Sequence, residues 1–155
     1  MPSPTGLSTD FDFLHGEWDV VHRRLRTRGV GSDDWDVFPS TSTCEPRLGG
    51  IANVEEIRCP DRGFSGMTLR VFDPEARRWS IWWVSSNRGR LEPPVIGGFD
   101  GAVGIFEGDD TDDGAPVRVR FVWTVLAADR ARWEQAFARE GGEWETNWVM
   151  EFTRR

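Results

Sequence analysis

The segment Trp144-Glu145-Thr146-Asn147-Trp148-Val149-Met150-Glu151-Phe152 alternates large apolar side chains with polar ones. Successive side chains of a β-strand point to opposite faces of the sheet, so this alternation predicts a strand with one buried face. The face predicted to be buried carries Trp144, Thr146, Trp148, Met150 and Phe152. The face predicted to be exposed carries Glu145, Asn147 and Glu151, with Val149 as the one apolar exception.

The same alternation recurs along the whole chain, and most of its 9 Trp and 10 Phe lie in alternating segments. Dipeptides typical of hairpin turns separate these segments, for example Gly49-Gly50, Asp100-Gly101 and Gly141-Gly142. The predicted strands are 17–28, 35–46, 51–59, 65–73, 78–86, 93–99, 102–108, 116–127, 130–139 and 143–153. Helical character is predicted only for a short turn at 9–14.

A meander of hairpins with one apolar face leaves two unpaired edge strands unless the sheet closes on itself. The sequence therefore predicts an all-β fold, an antiparallel up-and-down β-barrel of about ten strands with a short N-terminal helical turn. A two-sheet sandwich is the structural alternative. We expect a single domain over residues 1–155, in which residues 1–9 form a flexible N-terminal segment.

Charge and composition exclude several classes of function. The 19 basic and 26 acidic side chains give a net charge of -7, which argues against nucleic acid as a partner. Every basic residue is Arg, so the Schiff-base chemistry of lysine is excluded. The two histidines, His15 and His22, are too few for a three-histidine zinc site. The acidic stretch 108–114 departs from the pattern of a calcium-binding loop and is predicted to be an exposed hairpin tip. We expect no metal and no cofactor.

The chain contains no apolar run of about 18 residues and no N-terminal pattern of a signal peptide, so we expect a cytoplasmic protein without a membrane partner. Two free thiols are also expected. Pairing about the Gly49-Gly50 turn is predicted to set Cys44 opposite approximately Asn53, too far from Cys59 for a disulfide.

A Gly-x-Trp tripeptide lies in the segment Asp12-Phe13-Leu14-His15-Gly16-Glu17-Trp18-Asp19-Val20, which resembles the entry strand of lipocalins and other calycins. Together with Leu69-Arg70-Val71-Phe72-Asp73-Pro74 and Arg132-Trp133-Glu134-Gln135-Ala136-Phe137, it is similar to a bacterial family of lipocalin-like proteins of unknown function. The resemblance implies a calycin-type barrel and supplies no catalytic residue. The chain departs from the haem-binding nitrobindin branch because no histidine follows His22, so haem is not expected.

Three residues are candidates for catalysis. If Trp18 points inward as in calycins, alternation directs His22 inward too, where a side chain with a reference pKa of about 6.5 could act as a general base. Glu55 and Glu56 must face opposite sides of one strand, and we prefer Glu56 slightly as the inward residue. The alternative for each is a structural polar group. No catalytic residue is established by this pattern.

The preferred hypothesis is the binding of a small hydrophobic or aromatic molecule inside the barrel. The predicted ligand-binding residues are Trp18, His22, Trp83, Arg88, Trp123, Trp133 and Trp148. One alternative is an isomerase or cyclase that uses His22 with Glu55 or Glu56 on a small metabolite. The other is a structural protein with a filled barrel, forming a homodimer through an aromatic patch such as Trp35, Trp79 or Trp82.

Overall fold

The computed structural model describes residues 6–155, and residues 1–5 lie outside the described part of the chain. Within that range ten antiparallel strands follow one another as a meander and close into a barrel, with the first strand paired to the last. The strands are β1 Gly16–Leu25, β2 Trp35–Arg47, β3 Ala52–Cys59, β4 Phe64–Asp73, β5 Arg78–Ser85, β6 Val95–Asp100, β7 Val103–Asp112, β8 Ala115–Ala127, β9 Arg130–Arg139 and β10 Trp144–Arg154. The predicted all-β up-and-down barrel is confirmed.

The helical turn predicted near the N-terminus is a 3₁₀ helix at Asp12–Leu14, and two further 3₁₀ helices, Leu48–Gly50 and Pro60–Arg62, connect strands. No helix within residues 6–155 is both long enough and apolar enough to cross a membrane. Of the predicted flexible segment 1–9, the first five residues lie outside the described range. Within it, Gly6 is buried and the amide of Asp10 donates to the carbonyl of Leu7 at 3.1 Å.

The 3₁₀ helix Asp12–Leu14 closes one end of the barrel. Phe11 and Leu14 are fully buried, and Nε1 of Trp18 donates a hydrogen bond to the carbonyl of Leu14 at 2.9 Å. The ring centroid of Phe11 lies 5.0 to 5.7 Å from the rings of Trp79, Phe99 and Phe106. This end of the barrel is a filled aromatic core.

Arg154 near the end of β10 fastens this helix to the barrel. Its Nη1 donates to the carbonyl of His15 and its Nη2 to the carbonyl of Phe13, both at 2.6 Å. The guanidinium lies 4.2 Å from the ring centroid of Trp18. Gly16 has φ 118°, and a Cβ there would lie 2.8 Å from Nη1 of Arg154, so the turn into β1 requires glycine.

Two local predictions are wrong because of strand geometry. A bulge between Thr146 and Trp148 shifts the alternation of β10, so Thr146 is exposed while Asn147 is 2% exposed and accepts a hydrogen bond from Gln135 at 2.8 Å. The acidic stretch 108–114 is not a loop over most of its length. It continues β7 as far as Asp112, because its residues pair with β8.

The register of β2 and β3 also differs from expectation. The hairpin is centred between Gly49 and Gly50, so Cys44 lies opposite Glu55 rather than Asn53. Cys44 and Cys59 are both buried and free, as predicted.

We expect Arg154→Met to lower the free energy of unfolding by about 2–3 kcal/mol, since it removes a cation–π contact and three hydrogen bonds to the carbonyl groups of Phe13, His15 and Ala128. Urea denaturation at pH 7 measures the change. The matched control is Arg155→Met, which removes the next arginine, an exposed side chain that pairs with Asp19 at 3.4 Å. Equal effects of the two substitutions would show that Arg154 does not hold the closed end.

Candidate functional site

A cavity of about 40 Å³ lies in the barrel above the filled end. Its walls are largely aromatic, and the rings come from strands β5, β8, β9 and β10: Trp83, Phe121, Trp123, Trp133 and Trp148. A second cavity of about 50 Å³ adjoins it. Four residues line both cavities and therefore form the partition between them: Ile81, Trp83, Phe121 and Gln135.

We call the first cavity the inner cavity and the second the outer cavity. The outer cavity lies beside a discontinuity in the barrel wall. Strands β5 and β6 form only three residue pairs, between 79–81 and 95–97, and then diverge. The connecting segment 86–94 covers the gap, where the amide of Glu92 donates to the carbonyl of Trp83 at 2.8 Å. Glu92 and Pro93 of this segment line the outer cavity. Because a connecting segment is more easily displaced than a paired strand, we expect segment 86–94 to be the part of the wall beside the outer cavity that moves most readily.

Trp83 is the half-buried residue at the centre of the partition. Its indole lies over Gly66 of β4, where a Cβ would come within 1.9 Å of the ring. The ring meets Trp148 edge to face, with centroids 6.1 Å apart at 89°, and Trp148 meets Trp133 in the same way at 5.6 Å. The inner cavity is thus enclosed by indole rings of which only Trp83 also borders the outer cavity.

A buried ion pair forms one side of the inner cavity. Arg70 is 2% exposed and Glu55 4% exposed, and Nη2 of Arg70 lies 2.5 Å from Oε1 of Glu55. The other carboxylate oxygen accepts from Ser42 at 2.5 Å, and Nη1 of Arg70 donates to Oδ1 of Asn53 at 2.9 Å. This network satisfies the carboxylate and most of the guanidinium.

Among residues 6–155, buried nitrogen donors of Asn53, Arg70, Trp123 and Asn147 have no acceptor, and of these four residues Arg70 and Trp123 line the inner cavity. Nε of Arg70 and Nε1 of Trp123 are buried, and no protein atom of residues 6–155 accepts a hydrogen bond from either. Arg70 and Trp123 both line the inner cavity, and the guanidinium carbon lies 5.4 Å from the centroid of the indole. The cavity therefore combines apolar walls with unused N–H groups at one place.

The structure decides between the two glutamates. Glu55 faces inward, whereas Glu56 faces solvent and pairs with Arg58 at 2.9 Å, so the preference for Glu56 was wrong. Apolar neighbours could not have settled the question, since Glu55 is buried by its ion pair with Arg70 on the adjacent strand. Sequence reasoning missed Arg70, although its alternation with Phe72 in β4 predicts the buried face.

His22 is fully buried but makes no hydrogen bond to either glutamate. Nε1 of Trp148 donates to Nδ1 of His22 at 3.0 Å, so Nε2 carries the proton and donates to Oγ of Ser40 at 2.7 Å. Burial, aided by the charge of Arg24, lowers the pKa of His22 to about 3. A neutral imidazole with both nitrogens engaged favours the structural alternative over a general base.

The remaining predicted residues lie apart from the cavity. Trp18 is buried in the filled end against Phe152, with ring centroids 6.0 Å apart. Arg88 is exposed on segment 86–94, with Nε 3.5 Å from a carboxylate oxygen of Glu92. Trp79, suggested for a dimer patch, is only 1% exposed, so that part of the prediction was wrong.

Neither thiolate nor metal chemistry fits the interior. Burial raises the pKa of Cys44 to about 12 and that of Cys59 to about 11, which leaves both as neutral thiols at pH 7. Within residues 6–155 no group of three or more His, Cys, Asp and Glu side chains is arranged to hold a metal ion.

No protein-family model and no curated protein matches this chain. Among solved structures, a redesigned β-barrel is similar over 94% of this chain and 95% of its own, with 9% identity and a TM-score of 0.38. A protein of unknown function from the DUF3598 family of Nostoc punctiforme covers 100% of both chains, with 9% identity and a TM-score of 0.27. Such weak likenesses assign neither family nor function, and the lipocalin-like resemblance stays a prediction.

We expect Arg70→Met to cost about 3–5 kcal/mol of unfolding free energy, because it leaves the Glu55 carboxylate buried without a counter-charge. Adding Glu55→Gln should recover at least half of the loss, since no charge then remains buried. Urea denaturation of both variants tests this. The control, Arg58→Met, breaks the exposed pair with Glu56 and should cost less than about 1 kcal/mol. If Arg58→Met lowers the unfolding free energy as much as Arg70→Met does, the pair of Arg70 and Glu55 does not behave as a buried, desolvated ion pair.

His22 predicts a pH dependence of stability. When folding lowers the pKa of a histidine, the unfolded chain takes up the proton at a higher pH than the folded chain does. The contribution of His22 to the unfolding free energy is therefore complete above about pH 6.5 and is lost as the pH falls toward 3. His22→Gln keeps an acceptor for Trp148 and a donor for Ser40 but does not titrate. Between pH 7 and pH 5 we expect the natural chain to lose about 1–2 kcal/mol more unfolding free energy than this variant. If the unfolding free energies of the natural chain and of His22→Gln fall in parallel as the pH is lowered, the pH dependence does not come from His22.

Proposed function

We propose that this barrel binds a small hydrophobic or aromatic molecule in its interior. The observation that carries the proposal is the cavity enclosed by Trp83, Trp133 and Trp148, which adjoins a second cavity beside a gap in the barrel wall. Concave sites with apolar walls and a few polar groups are the usual form of small-molecule sites. The filled-barrel alternative describes the closed end but leaves this cavity unexplained.

The size of the cavity limits what can bind. A dry cavity of about 150 Å³ is known to admit benzene, so an inner cavity of about 40 Å³ is too small for a ring as it stands. Trp83 borders both cavities and is half-buried, so an outward movement of its indole would join them and add the volume of the ring. We therefore expect a ligand of about one aromatic ring, admitted by displacement of Trp83.

No observation favours the enzyme alternative to the same degree. The two nitrogens of His22 are committed to Trp148 and Ser40, and the carboxylate of Glu55 is committed to Arg70 and Ser42. Proton transfer needs a group that is free to exchange its proton with a substrate. Binding without chemistry is the function that these contacts support best.

Acetophenone, an uncharged single-ring compound, tests the proposal in a ¹H–¹⁵N spectrum of the full chain. We expect the indole N–H signals of Trp83, Trp133 and Trp148 to shift on titration. The signals of Trp35 and Trp144 should not move, because these rings pack against Arg23 and Arg120, 5.0 and 4.1 Å from their centroids, and line neither cavity.

Trp83→Ala should bind acetophenone about tenfold or more tightly than the natural chain, because it joins the two cavities without displacement of a ring. The matched control is Trp82→Ala, which truncates the neighbouring indole on the outer face of β5 and should leave the affinity unchanged. If all three indole signals stay in place in the natural chain, and those of Trp133 and Trp148 stay in place in Trp83→Ala, the proposed function is wrong.

A further inference from the structure

We infer that the inner cavity selects an uncharged ligand carrying an oxygen acceptor, such as the carbonyl group of an aryl ketone, aldehyde or ester. The inference rests on the proposed function and narrows the class of molecule bound. It follows from two residues of the cavity wall, Arg70 and Trp123, each of which has a buried N–H group without an acceptor among residues 6–155.

Nε is the nitrogen of Arg70 that has no protein partner among residues 6–155. Nη2 is engaged by Glu55 and Nη1 by Asn53, whereas Nε has no protein acceptor among residues 6–155. An oxygen placed beside Nε would give this buried donor the hydrogen bond that the protein does not provide. Arg70 is held by its ion pair and by the ring of Phe11, 5.0 Å from the guanidinium carbon, so this donor is preorganised.

Trp123 provides the second donor. Among the indoles of the cavity wall, Trp148 donates its N–H to His22, whereas the N–H of Trp123 has no acceptor within residues 6–155. Trp123 is buried, and the centroid of its indole lies 5.4 Å from the guanidinium carbon of Arg70, so we expect an acceptor group in the inner cavity to reach a donor of either residue. An oxygen with two lone pairs, as in a carbonyl group, matches this pair of donors.

The charge of the site argues against an acidic ligand. The charge of Arg70 is already balanced by Glu55 at 2.5 Å, so a ligand carboxylate would be desolvated beside another carboxylate without a net positive charge to compensate. A neutral carbonyl oxygen loses much less hydration free energy on burial. The ion pair therefore leaves N–H donors for a ligand but no net positive charge that would compensate an anion.

The outer cavity reinforces this selection. Three carboxylates line it, those of Glu92, Asp109 and Asp110. Arg88 and Arg118 pair with the first two, and Asp110 has no ion pair within residues 6–155. An anion would therefore pass a surface with a residual negative charge before it reached a neutral inner cavity.

Three ligands of nearly equal size test the inference on the full chain: acetophenone, ethylbenzene and benzoate. Ethylbenzene replaces the carbonyl group by a methylene group, and benzoate replaces the acetyl group by a carboxylate. We expect acetophenone to bind at least threefold more tightly than ethylbenzene, and benzoate to bind most weakly. A purely apolar cavity would bind ethylbenzene more tightly than acetophenone, because only the ketone must lose hydration on entry.

The indole N–H of Trp123 reports the contact directly. Its proton should move downfield with acetophenone and not with ethylbenzene, because only the ketone accepts a hydrogen bond. Trp123→Phe should lower the preference for acetophenone over ethylbenzene about threefold or more. The control Trp133→Phe also shrinks a ring of the cavity wall, so it should change both affinities by a similar factor and keep their ratio.

The outcomes separate the two proposals. If ethylbenzene binds as tightly as acetophenone while the signals of Trp133 and Trp148 shift with both, the acceptor inference is overturned and the proposed function stands. Tightest binding by benzoate would also overturn the inference. If none of the three ligands shifts these signals, the proposed function fails as well. The ranking in the natural chain decides the matter even where Trp123→Phe does not fold.

Discussion

The pairing of β1 with β10 is the constraint on which the rest of the structure depends. Their seven residue pairs, from Trp18 with Arg154 to Arg24 with Trp148, convert an open meander into a barrel without free edges. Closure makes one face of every strand an interior face, which is why so many rings can be buried in a chain of 155 residues. Arg154 couples this closure to the N-terminal 3₁₀ helix through two carbonyl groups, so the same strand that closes the wall also closes one end.

The interior is divided into a filled part and a part with space. Around Phe11, rings pack edge to face and leave no room, whereas beyond Arg70 the indoles enclose a cavity. The ion pair between Arg70 and Glu55 stands at this border. A buried ion pair is a weak source of stability compared with apolar packing, but it requires a particular set of partners and so specifies which side chains surround the space. Polar groups here define the shape and chemistry of the cavity more than they stabilise the barrel.

The fold could be predicted from the sequence to a large extent, and the site only in part. Alternation and turn dipeptides depend on neighbouring residues, so they located all ten strands within a few residues. Trp83, Trp123, Trp133 and Trp148 were predicted correctly to face inward because they share a period of two with other apolar residues. Arg70 was missed, and Asn147 was placed on the wrong face, because a cross-strand ion pair and a bulge depend on register between segments.

The sequence by itself determined the fold class, the number of strands and the absence of lysine and tyrosine chemistry, since these follow from local pattern and composition. Only the tertiary structure decided that Glu55 rather than Glu56 is buried, that burial keeps His22 neutral between Trp148 and Ser40, and that Arg70 and Trp123 of one cavity wall keep N–H groups without a protein acceptor among residues 6–155. The physical reason is that burial and hydrogen bonding belong to pairs of groups. Residues far apart in the chain become partners only after the barrel closes and sets their register.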